Sequence, residues 1–178
     1  VSAVDRSAPA DAPVSSAPAW EPAFIGVGAN LGDARATVLA AMAACESLPR
    51  TRAAGRSSLY RSAPVDAGGP DFVNAVLRLQ TTLAPIELLD ALQAIEQAHG
   101  RERPYRNAPR TLDLDLLLQG RRVMDTERLT LPHPRLHERA FVLLPLAELE
   151  PELVLPGKGP IGTWLPAVAA QRITRTPA

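Results

Sequence analysis

Residues 72–80 set the first constraint on the fold. Phe72, Asn74, Val76 and Arg78 fall on one side of this stretch, and Val73, Ala75, Leu77 and Leu79 on the other. A period of two is what a pleated strand imposes on its side chains. A strand needs partners, and three other segments offer them. Residues 23–28 are a short apolar run, residues 57–61 read as a second strand, and residues 112–118 as a fourth. Two helices separate them. Asp33 is placed to cap the first, whose Val38, Met42, Cys45 and Leu48 recur at helical spacing before Pro49 stops it. Pro85 opens the second in the favoured first turn, with Ile86, Leu89, Leu92 and Ile95 as its stripe and Gly100 as a left-handed cap. The order strand, helix, strand, strand, helix, strand predicts an α+β sandwich: a four-stranded antiparallel sheet with helices on one face. Beyond it, Pro132–Pro134 reads as a rigid turn, and residues 140–149 as an apolar, partly helical segment interrupted by Pro145.

A chain of 178 residues suits a single domain. Residues 1–22 are rich in Ala, Pro, Ser and Asp and read as a disordered extension, residues 23–170 as the folded domain, and residues 171–178 as a loose tail. The start lacks the basic and apolar regions of a secretory signal, and no apolar run is long enough for a bilayer. One cysteine, Cys45, excludes an intrachain disulfide and fits a reducing, cytoplasmic setting. Nineteen basic residues balance nineteen acidic ones, so no global field draws in nucleic acid or an anionic membrane. Lys158 is the single lysine in an arginine-rich chain, so the arginine total says nothing about phosphate. Individual positions have to carry that argument.

The segment Pro109-Arg110-Thr111-Leu112-Asp113-Leu114-Asp115 is the most informative. On a strand, Asp113 and Asp115 project together while Leu112, Leu114 and Leu116 take the core side. Adjacent carboxylates repel unless cations sit between them, and magnesium commonly bridges carboxylates to substrate phosphates. A solvated strand face with two charges fits the same spacing. Upstream, Glu96 ends a helix, and Arg101, Arg103, Arg106 and Arg110 line a proline-containing loop that could lay guanidinium groups over a polyphosphate. Residues 62–74 could form a second lid, with Phe72 to stack on and Asn74 to hydrogen-bond a heterocycle. His133 and His137 invite a zinc reading, which fails because Pro134 prevents the continuous helix that would align them. His137 reads as exposed. Gly26, Gly28 and Gly32 miss the dinucleotide-binding spacing and read as turn glycines, and there is no P-loop.

Taken together, five segments resemble the 6-hydroxymethyl-7,8-dihydropterin pyrophosphokinases. They are Gly26-Val27-Gly28-Ala29-Asn30-Leu31-Gly32, Ser58-Leu59-Tyr60-Arg61, Pro70-Asp71-Phe72-Val73-Asn74, Pro109 to Asp115, and Leu131-Pro132-His133-Pro134-Arg135-Leu136. The resemblance runs from about Ala23 to Trp164. It implies a ferredoxin-like fold, usually monomeric, with three flexible loops around the site. It implies transfer of a diphosphate group from magnesium-ATP to the pterin hydroxymethyl oxygen in folate synthesis. Two magnesium ions would sit on Asp113 and Asp115, and Arg101 and Arg110 match arginines on the transferred or adjacent phosphates. Gln93, Arg103, Leu116, Arg128, Thr130, His133 and Arg139 fall where the family contacts ATP, and Glu96 lies near the nucleotide. The pterin pocket would use Ser62, Ala63, Val65, Phe72, Asn74 and Phe141, with Phe141 stacking on the ring and Asn74 reading its polar edge. Asn107 stands where some members carry Trp, and Phe72 where Tyr is common.

Two other classes share the element order. RNA-binding domains stack bases on sheet aromatics, but only 4% of this chain is aromatic, and Asp113 and Asp115 would repel phosphate. A catalytically dead interaction module would have no use for Arg110, Asp113, Asp115 and His133 together.

Overall fold

The computed structural model describes residues 19–64, 69–100 and 111–176. The elements are β1 (Glu21–Ala29), α1 (Ala34–Glu46), β2 (Thr51–Arg56), β3 (Tyr60–Ser62), β4 (Phe72–Thr81), α2 (Pro85–Ala98), β5 (Asp113–Gln119), β6 (Met124–Asp125), β7 (Thr130–Leu131), α3 (Ala140–Leu149), β8 (Val154–Leu155), β9 (Gly159–Pro160), α4 (Leu165–Val168) and β10 (Ile173–Arg175). The main sheet is antiparallel and runs β10-β3-β4-β1-β5, with β2 also paired to β4. The four expected strands are consecutive in it as β3-β4-β1-β5, with β5 at the edge and the second strand at Tyr60–Ser62 instead of 57–61, so the α+β reading holds.

Local chemistry explains the helix ends. The Asp33 side chain accepts from the Ala36 N–H at 2.9 Å, satisfying one of the donors that a helix start leaves open. Pro85 occupies the first turn of α2, and the Glu87 carboxylate accepts from the Ala84 N–H at 2.8 Å. Gly100 has φ +72° and closes α2 as anticipated. The apolar stripe of α2 is rotated from the predicted one. Leu88 and Leu92 are its buried centre, while Ile86, Leu89 and Ile95 flank it. The next position on that centre line is Glu96, also buried, and a charge at the end of the stripe hides the true period.

Both sheet faces are covered, whereas helices on one face were expected. One face presents Ile25, Val27, Ala75, Leu77, Leu79, Leu114 and Leu116 to α1 and α2. The other presents Phe24, Val76, Leu117 and Leu118 to α3. Pro145 lies inside α3 without ending it, since the segment is apolar enough to be held by packing.

The domain limits shift at both ends. Trp20 lies 4.0 Å beneath the Arg52 guanidinium, and Glu21 accepts from Gln119 Nε2 at 2.9 Å and Arg122 Nε at 3.0 Å. These residues belong to the fold and not to an extension. At the other end, β10 pairs with β3 in the register Ile173–Ser62, Thr174–Arg61 and Arg175–Tyr60. Its anchor is Glu148 on α3. That carboxylate accepts from Ser58 Oγ at 2.7 Å, Tyr60 Oη at 2.7 Å and Arg175 Nη2 at 3.0 Å. Burial and this bond push the Tyr60 phenol up to about 12.

Candidate active site

The second sheet face divides in two. Its Phe24 end is dry under α3, and its Gly28 end is open. Register places several of the predicted site residues there. Gly28 lies between Asn74 of β4 and Asp113 of β5, and Gly26 lies between Val76 and Asp115. Tyr60 of β3 is opposite Asn74, and Ser62 is opposite Phe72. Directly opposed residues share a face, so Ser62, Phe72, Asn74, Asp113 and Asp115 all project to this side. Asn74 Nδ2 donates to Ser62 Oγ at 2.9 Å, and both side chains are buried. Phe72, Asp113 and Asp115 are half-buried. Of the predicted pterin residues, Ala63 is exposed just past β3, and Val65 lies outside the described residues.

The turn after β7 carries the next group. The His133 N–H donates to the Leu117 carbonyl at 2.9 Å, which fastens the turn to the outer edge of β5. Burial and the nearby Arg139 and Arg135 push the His133 imidazole down to about 4, against the pull of Asp113. His133 is therefore neutral at pH 7. Its Nδ1 accepts from the Arg135 N–H at 3.3 Å, which leaves the proton on Nε2 as a donor. Arg139 precedes α3, and its guanidinium lies 5.5 Å from the centre of the half-buried Phe141 ring. His137, expected at the surface, packs edge-on against Trp164 with ring centres 4.6 Å apart. It thus serves a different part of the fold from His133.

The remaining predicted residues border the outer edge of β5. Glu96 accepts from the Leu114 N–H at 2.7 Å. Leu114 sits between Asp113 and Asp115, so Glu96 holds the backbone that carries both acids. Arg128 pairs with Asp90 on α2, one helical turn from the exposed Gln93. Thr130 on β7 donates to Asp125 Oδ1 at 3.0 Å. The Leu116 side chain is buried against α1 and α2, so only its backbone can face a ligand. Arg101, Arg103 and Arg110 lie outside the described residues.

One residue was missed. Asn30 is buried, and its Nδ2 donates to the Pro70 carbonyl at 3.2 Å, tying the end of β1 to the approach to Phe72. The signal was its place in the segment from Gly26 to Gly32. Two of that segment's glycines are not turn residues. Gly32 has φ +59°, but Gly26 and Gly28 are inside β1 with ordinary strand backbone.

Among the described residues no group of three or more potential protein ligands forms a metal cluster. Two half-buried carboxylates on one open face are still a fitting donor set for magnesium. That ion favours hard oxygen, binds through one or two carboxylates and completes its shell with water and phosphate. No helix among the described residues is long and apolar enough to cross a membrane.

Comparison with known proteins agrees with this geometry. The family model for 7,8-dihydro-6-hydroxymethylpterin-pyrophosphokinase matches residues 24–151. The 2-amino-4-hydroxy-6-hydroxymethyldihydropteridine pyrophosphokinase of Pseudomonas aeruginosa is 48% identical over 155 residues, covering 86% of this chain and 96% of the relative. The protein of the same name from Haemophilus influenzae is 45% identical, covering 75% of this chain and 84% of the relative. Among solved structures, the Plasmodium falciparum HPPK-DHPS wild type with pterin and p-hydroxybenzoate superimposes with a TM-score of 0.66 at 13% identity. There the likeness is one of fold, over 85% of this chain and 43% of that longer one. The chain belongs to the 7,8-dihydro-6-hydroxymethylpterin-pyrophosphokinase family.

Proposed function

We propose that this chain moves the β,γ-diphosphate of ATP onto the hydroxymethyl oxygen of 6-hydroxymethyl-7,8-dihydropterin, releasing AMP and making the pterin diphosphate used in folate biosynthesis. The observation that carries the reading is the placement of Asn74 and Asp113 on either side of Gly28 on one open face. Groups suited to a flat heterocycle and groups suited to a metal-bound polyphosphate are thus one strand apart.

Transfer of this kind depends on position and charge more than on covalent help from the protein. Phe141 and Phe72 offer ring faces to the pterin. Asn74, with its Nδ2 on Ser62 Oγ, has its Oδ1 over Gly28 and is assigned as an acceptor for donors on the pterin edge. The hydroxyl oxygen attacks the β-phosphorus in line, the bond to the α-phosphate oxygen breaks, and the hydroxyl proton leaves to solvent. His133 Nε2–H donates to a phosphate oxygen, and Arg139 beside it adds positive charge. Arg101 and Arg110 are assigned to the transferred group, and Gln93, Glu96, Arg103, Leu116, Arg128 and Thr130 to the nucleotide. Ala63 and Val65 are assigned to the rim of the pterin pocket. Asp113 and Asp115 are assigned two magnesium ions, which when bound supply neutralisation of phosphate charge. We read the working form as a cytoplasmic monomer.

The direct test is incubation with ATP, magnesium and the hydroxymethyl pterin. Stoichiometric AMP is expected. ADP, or ATP consumption that does not depend on pterin, would refute the reading.

A further inference from the structure

Glycine weakens the middle of a strand, and where it occurs there it often marks a close approach by something else. Gly26 and Gly28 are both inside β1, the strand between β4 and β5, and neither has the positive φ that would require glycine. What a side chain would meet differs between them. At Gly26 the atoms nearest a Cβ would be those of the Leu117 side chain, at an ordinary 3.5 Å. At Gly28 it would lie 3.2 Å from Asn74 Oδ1 and 4.0 Å from Phe72 Cδ1, with nothing else within 4 Å. The first distance is too tight unless the carboxamide moves. Asn74 cannot yield freely, because its Nδ2 is held by Ser62 Oγ at 2.9 Å on the opposite side. The amide is stretched between β3 and β1, and its oxygen lies across the bare backbone of Gly28.

We propose that Gly28 is a positioning residue for the pterin. By having no side chain it lets the Asn74 carboxamide lie across β1 with Oδ1 aimed at the substrate. It acts through Asn74 and touches no reacting atom. The inference rests on the assignment of Asn74 to the pterin pocket and deepens it, because it explains how the reading group is aimed.

The test is a cycle of Gly28→Ala, Asn74→Ala and the double variant, with Gly26→Ala as control. Steady-state KM for the pterin and for ATP, kcat and Tm are measured on the full chain. Gly28→Ala is expected to raise pterin KM about tenfold, the loss given by one misplaced hydrogen bond, with ATP KM unchanged. Gly26→Ala is expected to match the parent. The double variant should equal Asn74→Ala alone, since removing the amide removes the conflict. It also keeps the test informative if Gly28→Ala fails to fold. Unchanged pterin KM in a folded Gly28→Ala protein would overturn the proposal. Equal rises in both KM values, or added loss in the double variant, would do so too. If Asn74→Ala itself leaves pterin KM unchanged, the pocket assignment fails first, which is a separate result.

Discussion

Glu96→Ala removes the carboxylate that accepts from the Leu114 N–H at 2.7 Å on the outer edge of β5. Glu96 is 2% exposed, so water cannot readily replace it. Leaving that amide without its acceptor costs about 2 kcal/mol, and the lost packing of the side-chain methylenes adds about 1 kcal/mol. For a domain of this size each kcal/mol lowers Tm by about 2–4 °C, so the expected fall is about 6–12 °C. Glu96→Gln retains an acceptor oxygen and should lose less than half as much. The loss should also reach turnover, because Leu114 is the residue between Asp113 and Asp115. The assay is thermal unfolding followed by circular dichroism, paired with AMP release below the transition. A Tm shift under about 2 °C for Glu96→Ala would show that the edge of β5 does not depend on this contact.

Asp115→Ala should lower kcat about a thousandfold, the worth of several kcal/mol of lost charge neutralisation, while pterin binding measured by fluorescence stays near the parent value. Glu148→Gln tests the anchor of β10 and its dependence on pH. Burial favours the protonated acid, but hydrogen bonds from Ser58 and Tyr60 and the nearby Arg175 outweigh it and hold the group below its usual value. A depressed carboxylate stabilises the fold above its unfolded pKa and loses that contribution as pH falls through its folded one. The stability gap between parent and Glu148→Gln, measured by urea titration, should therefore be full at pH 7 and shrink below the usual Glu value of about 4.3. A gap independent of pH would refute the assignment. Burial, with the neighbouring Glu46, pushes the Cys45 thiol up to about 12, so it should react with a thiol reagent only after unfolding. Labelling of the native protein at the rate of a free thiol would show otherwise.

What the sequence displayed depended on which elements bury a face. The alternation at residues 72–80 was plain because β4 is covered on both sides and its neighbours specify every position. The period of two also made the shared face of Asp113 and Asp115 legible in the sequence. In contrast, β2 carries Arg52, Ala53 and Ala54 at exposed positions and is defined by its hydrogen bonds to β4. Such a strand has no apolar signal to read. The last strand, β10, has one half-buried residue, and Arg175 reaches back to Glu148, a partner 27 positions away. Contacts over that distance leave no local trace. His137 was misplaced for the same reason, since Trp164 covers it from a later turn. The ligand roles were the least legible. They came from the resemblance, and the structure adds why some residues could serve: His133 is held at the edge of β5 by its own backbone, and Asn74 is oriented by Ser62.

One irregularity explains how a single strand serves both a dry core and a charged site. Strict alternation from Asp113 would send Leu114, Leu116 and Leu118 to the α1 and α2 side and Asp113, Asp115 and Leu117 to the other. The pairing slips between Phe24 and Ile25, so that Ile25 faces Leu116 while Phe24 faces Leu118. Leu117 is the extra residue, and after it the parity of β5 reverses. Leu117 and Leu118 both join the core under α3, whereas Gln119 turns to the opposite side and donates to the Leu83 carbonyl at 2.7 Å. Without the slip, Leu118 would leave α3 and Gln119 would face its apolar surface. The bulge thus isolates the acidic end from the packing demands of the other end: Asp113 and Asp115 keep the open face, and two consecutive leucines close the rest. A run of leucines after an acid pair looks like simple apolar excess in the sequence, but one inserted position gives each leucine a distinct place to pack.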